Sequence, residues 1–108
     1  MPKLTCLIPG WDQEDLKEDF RTAQKVEQYR LGTRALYLPR GLSWEYIPLE
    51  AVDKAERSHR VISAGHCVTV REEKPAVDLN VGEKQFTLNL EKQASVQLIL
   101  QALKGEET

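Results

Sequence analysis

Cysteine, glycine-rich loops, long apolar runs and an excess of either charge are all scarce in this chain, and each scarcity removes a class of function. Its 108 residues include two cysteines, Cys6 and Cys67. Neither belongs to a Cys-x-x-Cys pair, so the spacing of zinc ribbons and thioredoxin-type sites is missing. A single disulfide between them stays open, but two ordinary thiols in a reducing cytosol is the favoured reading. No segment approaches the roughly 20 apolar residues of a membrane span. The apolar run at residues 4–8 is too short for a signal-peptide core, and no small-residue cleavage pattern follows it; a cytoplasmic location is expected. The four serines (Ser43, Ser58, Ser63, Ser95) include none in a Gly-x-Ser-x-Gly elbow, and no glycine-rich phosphate loop occurs. Lys and Arg number 15 against 17 Asp and Glu, a net charge of −2. That balance excludes a dedicated nucleic-acid binder, whose domain carries a basic excess.

What is present is the makeup of one folded domain: 41% hydrophobic and 30% charged residues, enough to bury a single modest core. Pro9-Gly10 breaks the chain. An acidic, helix-favouring segment follows, with Asp12 as a candidate cap and Leu16, Phe20 and Ala23 on one helical face. This predicts a helix ending near residues 23–25, with a longer one reaching Tyr29 as the alternative. Residues 26–31 and 34–38 read as a hairpin around Gly32-Thr33, pairing Tyr29 with Leu36 and Arg30 with Ala35. After the Pro39-Arg40-Gly41 turn, residues 43–48 read as a third strand. Residues 50–59 fit neither period, and local chemistry leaves helix and strand open.

Ser63-Ala64-Gly65 reads as a loop, residues 66–70 as a strand, and Glu72 to Pro75 as a break. Residues 76–81 and 84–90 form the clearest hairpin, with Gly82 first in a two-residue turn. Its register pairs Leu79 with Phe86, Val77 with Leu88, Asp78 with Thr87 and Asn80 with Gln85, so one face is apolar and the other polar. Val96, Ile99, Leu100 and Leu103 then line one face of a closing helix, and Gly105 opens a polar tail.

The run Gly32-Thr33-Arg34-Ala35-Leu36-Tyr37-Leu38, followed by Trp44-Glu45-Tyr46-Ile47-Pro48-Leu49 and Glu50-Ala51-Val52, resembles bacterial PH-like domains related to GRAM domains. The resemblance spans residues 24–104, with 1–23 as an N-terminal extension and 105–108 as a tail. It implies an α+β, mainly β fold: a roll of two packed antiparallel sheets, about seven strands in all, closed by a C-terminal amphipathic helix, with a short N-terminal helix added. It also implies that residues 50–59 are a strand. PH-like domains act as membrane adaptors or docking modules and rarely as enzymes, so the resemblance implies binding without catalysis. The tight Gly32-Thr33 turn lacks the longer basic loop of lipid-binding members, which weighs against phosphoinositide recognition.

The candidate sites follow from residue chemistry. Arg57, His59 and Arg60 gather two guanidinium groups and an imidazole within four residues, a possible anion or lipid-headgroup site to which Arg30 and Arg34 could add. The competing reading is a solvated strand edge blunted by charge. Trp44 and Tyr46 share a strand face opposite Ile47 and Leu49; they are an interface if exposed, or are covered if the N-terminal helix lays Leu16 and Phe20 over them. His66 and Cys67 are neighbours on a strand and so point to opposite faces, which excludes a shared metal or catalytic pair. The carboxylates at Asp12, Glu14, Asp15, Glu72 and Glu73 sit at a helix start and a turn rather than in a cleft. No metal or cofactor is expected. The expected partners are another protein or a second copy of the chain, with peripheral contact to acidic lipids as the alternative.

Overall fold

The computed structural model describes residues 3–63 and 71–103. Its elements run β1 (Leu4–Cys6), α1 (Lys17–Arg21), β2 (Gln24–Val26), β3 (Tyr29–Leu31), β4 (Ala35–Arg40), β5 (Ser43–Pro48), a 3-10 turn at Leu49–Ala51, β6 (Lys54–Ser63), β7 (Arg71–Val81), β8 (Lys84–Asn89) and α2 (Gln93–Ala102). The class is α+β and mainly β. A five-stranded sheet has the order β1-β5-β4-β3-β2, and a three-stranded sheet the order β6-β7-β8. All neighbours are antiparallel except β1, which pairs with β5 in parallel.

The described strands number eight rather than about seven. β1 had no sequence signal, and residues 26–31 are not one strand. They hold a tight turn at Glu27 and Gln28, which joins β2 to β3 through the Val26–Tyr29 pair. Glu27 takes a positive φ of 58° there, a conformation that glycine adopts most easily and that a glutamate adopts under strain. The next hairpin is also shifted. Leu31 faces Leu36 and Arg30 faces Tyr37, so Thr33 and Arg34 form the turn and Gly32 flanks it. A shift of two places keeps every side chain on its expected face.

The N-terminal helix is shorter than its periodicity predicts. The positive φ of Asp15, 58°, keeps the segment before Leu16 out of the helix, and Asp12 does not cap it. A helix of five residues is not stable alone; its burial against the sheet holds it. Residues 54–63 are a strand, preceded by the 3-10 turn.

Pro75 does not break β7, and the direction of its backbone explains why. Leu90 donates its N–H to the Pro75 carbonyl on the β8 side. In a strand, the nitrogen and carbonyl of one residue point the same way. The missing N–H of Pro75 therefore faces the end of β8 and costs the β6–β7 ladder nothing. The predicted strand at 66–70 and the tail at 105–108 lie outside the described residues.

The β7–β8 hairpin has the predicted register throughout, with Gly82 at φ +60°. Its apolar face, with Val77, Leu79, Val81, Leu88 and Leu90, meets Leu36 and Ile47 of the other sheet and Val96, Ile99 and Leu100 of α2 in one core. Leu103 packs partly buried against it. A second, smaller cluster lies on the opposite face of the five-stranded sheet, where Leu16 and Phe20 cover Ala35, Tyr37 and Tyr46. That sheet is thus apolar on both faces.

Candidate functional site

The outer face of the five-stranded sheet collects more of the candidate residues than any other place. Phe20 stands edge-on to Tyr37 at 5.0 Å between ring centroids and to Trp44 at 5.2 Å. Tyr46 is buried, and its hydroxyl accepts a hydrogen bond from the Gln13 backbone N–H at 2.9 Å. Trp44 is half-buried. The N-terminal segment therefore covers the Trp44 and Tyr46 face, the second of the two arrangements the sequence allows. The Arg30 guanidinium lies over this aromatic group, 4.6 Å from the Phe20 ring centre and 5.2 Å from that of Trp44. Such contacts attract a guanidinium to the ring faces.

One carboxylate locks this layer to the sheet. Asp19, 8% exposed, accepts from the Thr33 N–H at 2.9 Å and the Thr33 hydroxyl at 2.7 Å. It also accepts from the Arg34 N–H at 3.3 Å and the Tyr37 hydroxyl at 2.7 Å. Burial raises its pKa, but the donors from Tyr37, Thr33 and Arg34 outweigh burial and hold it below the ordinary aspartate value. Tyr37 is shifted strongly upward, by burial first and then by the Asp19 carboxylate. A Cβ at Gly32 would clash with Asp19 Oδ2. Gly32 is thus needed for the close approach of this carboxylate rather than for the turn itself.

A second carboxylate joins the five-stranded sheet to the start of α2. Glu27 accepts from the Glu91 N–H at 2.8 Å and the Lys92 N–H at 3.1 Å, at the start of α2. No residue of α2's own N-terminus caps the helix, so a residue more than 60 positions earlier does so. Burial raises the Glu27 pKa, but the Glu91 N–H, the Ser95 hydroxyl, the Lys92 N–H and the Lys92 charge bring it below the usual glutamate value. The Tyr29 hydroxyl beside it accepts from the Asn89 N–H at 3.1 Å.

The other candidate cations are dispersed. Arg34 donates to the Asp15 carbonyl at 3.1 Å. Arg57 reaches across to α2, donating to Gln93 Oε1 at 2.8 Å and Gln97 Oε1 at 2.9 Å. Exposed His59 pairs with Pro75, and Arg60 occupies the register position opposite Lys74. Arg30 is on the outer face of the five-stranded sheet and Arg57 beside α2 on the inner side of the fold, so the sheet lies between them. His66 and Cys67 lie outside the described residues.

The sequence reading missed Lys25, which faces Arg30 directly across the β2–β3 pair. Only the Glu27/Gln28 turn could have revealed it, and that turn lacks the Gly, Asn or Asp that marks such turns.

The surface also carries an open groove of about 480 Å³ near the C-terminal end of α2, lined by Thr22, Gln24, Leu31, Thr33, Leu49 and Ala102. Among the described residues that line it, none is charged. Among the described residues no three His, Cys, Asp or Glu side chains gather as a metal-binding set, and no helix is long and apolar enough to cross a membrane. No family model, curated protein or solved structure matches the chain.

Proposed function

We propose that the protein is a non-catalytic binding module that self-associates by strand addition at the outer edge of β6. The observation that carries this reading is the unequal length of the three-stranded sheet. β6 and β7 pair over ten positions, from Lys54–Asn80 to Ser63–Arg71. β8 accompanies β7 only from Ala76 to Val81. The segment from His59 to Ser63 with its partners is therefore a two-stranded ribbon, open at both edges among the described strands. Two-stranded ribbons are marginal by themselves, and an open edge is a template for a further strand.

The order of elements supports a PH-like arrangement, as the sequence resemblance implies. β2–β5 form one antiparallel meander and β6–β8 another, α2 closes the core, and β1 is an addition. In such a module the covered Trp44/Tyr46 face is a poorer docking surface than the β6 edge.

The direction of the β7 backbone fixes which groups of β6 are on offer. Because Pro75 faces β8, the even-numbered residues of β7 bond to β6. The register then turns the N–H groups of Ala55, Arg57, His59 and Val61 outward. A second copy pairing antiparallel about Ser58 sets Glu56 opposite Arg60 twice, by symmetry. Both pairs are of opposite charge, in the closer-spaced type of position.

Size-exclusion chromatography with light scattering tests the proposal on the wild type and His59→Pro. The substitution removes an outward N–H and leaves the β6–β7 ladder intact. A wild-type dimer and a folded, monomeric His59→Pro are expected. A wild-type monomer at the highest soluble concentration, or a dimer that His59→Pro leaves unchanged, overturns it.

A further inference from the structure

We propose that Lys25 and Arg30, side by side on the outer face of the five-stranded sheet, form a binding site for a phosphate-class anion. The site uses none of the β6 edge and stands or falls apart from the strand-addition proposal.

The first observation is the pairing. Lys25 and Arg30 are direct cross-strand partners. The Glu27/Gln28 turn closes on the hydrogen-bonded pair Val26–Tyr29, so the next pair is the non-hydrogen-bonded kind, in which side chains come closest. Two cations in such a pair repel each other. An anion between them converts that repulsion into two attractions.

The second observation is the lack of internal neutralisation. Neither Lys25 nor Arg30 has an ion-pair partner among the described residues. The carboxylate nearest in sequence to the ring beneath Arg30 is Asp19, and its oxygens are engaged by Thr33, Arg34 and Tyr37. Glu18 on the same helix is paired with Arg21. Glu27, two residues from Lys25, is turned to the start of α2. Each acidic group near the pair in sequence is thus already engaged.

The third observation is preorganisation. Arg30 is held over Phe20 and Trp44. It is half-buried, and of its guanidinium nitrogens only Nε is both enclosed and unpaired. The side chain gives up rotamer freedom on folding rather than on binding, which lowers the cost of capturing a ligand. A guanidinium fork and an ammonium carried on one sheet face match the oxygens of a phosphate group.

The test is a nitrogen-15 NMR titration of the full chain with inorganic phosphate, run beside flotation on phosphatidylcholine vesicles with and without phosphatidylserine. Phosphate is expected to shift the amide signals of Lys25 and Arg30 and the Trp44 indole signal, less so at high salt. Lys25→Gln changes an exposed residue, so the fold should persist while affinity falls about tenfold. Arg30→Gln should weaken binding at least as much. Phosphate binding without flotation assigns a soluble anion, and flotation that needs phosphatidylserine assigns a headgroup; either supports the site. No response in both arms, or binding that Lys25→Gln leaves unchanged, overturns it.

Discussion

The turns at Glu27/Gln28 and Gly82/Glu83 begin with almost the same backbone dihedral, 58° and 60°, yet one places a glutamate there and the other a glycine. At Gly82 the conformation carries no steric penalty. The flanking strands are apolar on one face and polar on the other, and the hairpin needs little from elsewhere beyond an exposed hydrogen bond from Gly82 N–H to Asp53. At Glu27 the same dihedral is strained, and the carboxylate offsets that strain by capping α2. The Gly82 hairpin is settled locally; the Glu27 hairpin is settled only when the C-terminal helix is in place. A third turn, at Thr33 and Arg34, is held the same indirect way, by Asp19 from the N-terminal segment. The Glu27/Gln28 turn is thus secured by its own carboxylate reaching the start of α2, and the Thr33/Arg34 turn by a carboxylate 14 positions earlier.

Asp19→Ala should be the most damaging change, because it leaves the Tyr37 hydroxyl and the Thr33 donors without their acceptor. A loss of about 3 kcal/mol is expected, read from the denaturant midpoint. The pH dependence has a definite sign. The folded pKa of Asp19 lies below the unfolded value, so its contribution is complete above about pH 4 and vanishes as pH falls through the folded pKa. The gap between wild type and Asp19→Ala should narrow on acidification; a gap constant with pH would refute the assignment.

Gly32→Ala should cost about 2 kcal/mol through the clash with Asp19, but almost nothing in an Asp19→Ala background. Equal costs in both backgrounds would mean that Gly32 serves the turn after all.

The smallest effects bear directly on the two matched turns. Gly82→Ala should cost about 1 kcal/mol through its dihedral, and Glu27→Ala about the same through the lost cap. Glu27→Gly loses the cap and relieves the strain, so thermal melting should place it closer to wild type than Glu27→Ala. If Glu27→Gly melts no higher than Glu27→Ala, the strain was not there to relieve.

The β7–β8 register and the α2 stripe could be read from sequence because each follows from neighbours within a few residues. The β2–β3 turn could not: nothing near Glu27 announces a positive φ, and the start of α2 that rewards it is more than 60 positions away. Pro75 misled for a related reason, since whether a proline breaks a strand depends on which side its nitrogen faces. The candidate site divides the same way. Arg30 and Trp44 stood out as residue types, but their contact, and Lys25 beside them, needed the β2–β3 turn to be placed first.

β1 carries a consequence for how the chain assembles. Its three residues pair in parallel with Trp44, Glu45 and Tyr46, 40 positions further along. Closing so long a loop for so few contacts is entropically costly, whereas β2 to β5 fold back through short turns. The meander is therefore expected to condense first and to offer β5 as a finished edge. On that order the N-terminus docks late, with its own short helix, and until it does Tyr37 and Tyr46 lack their cover.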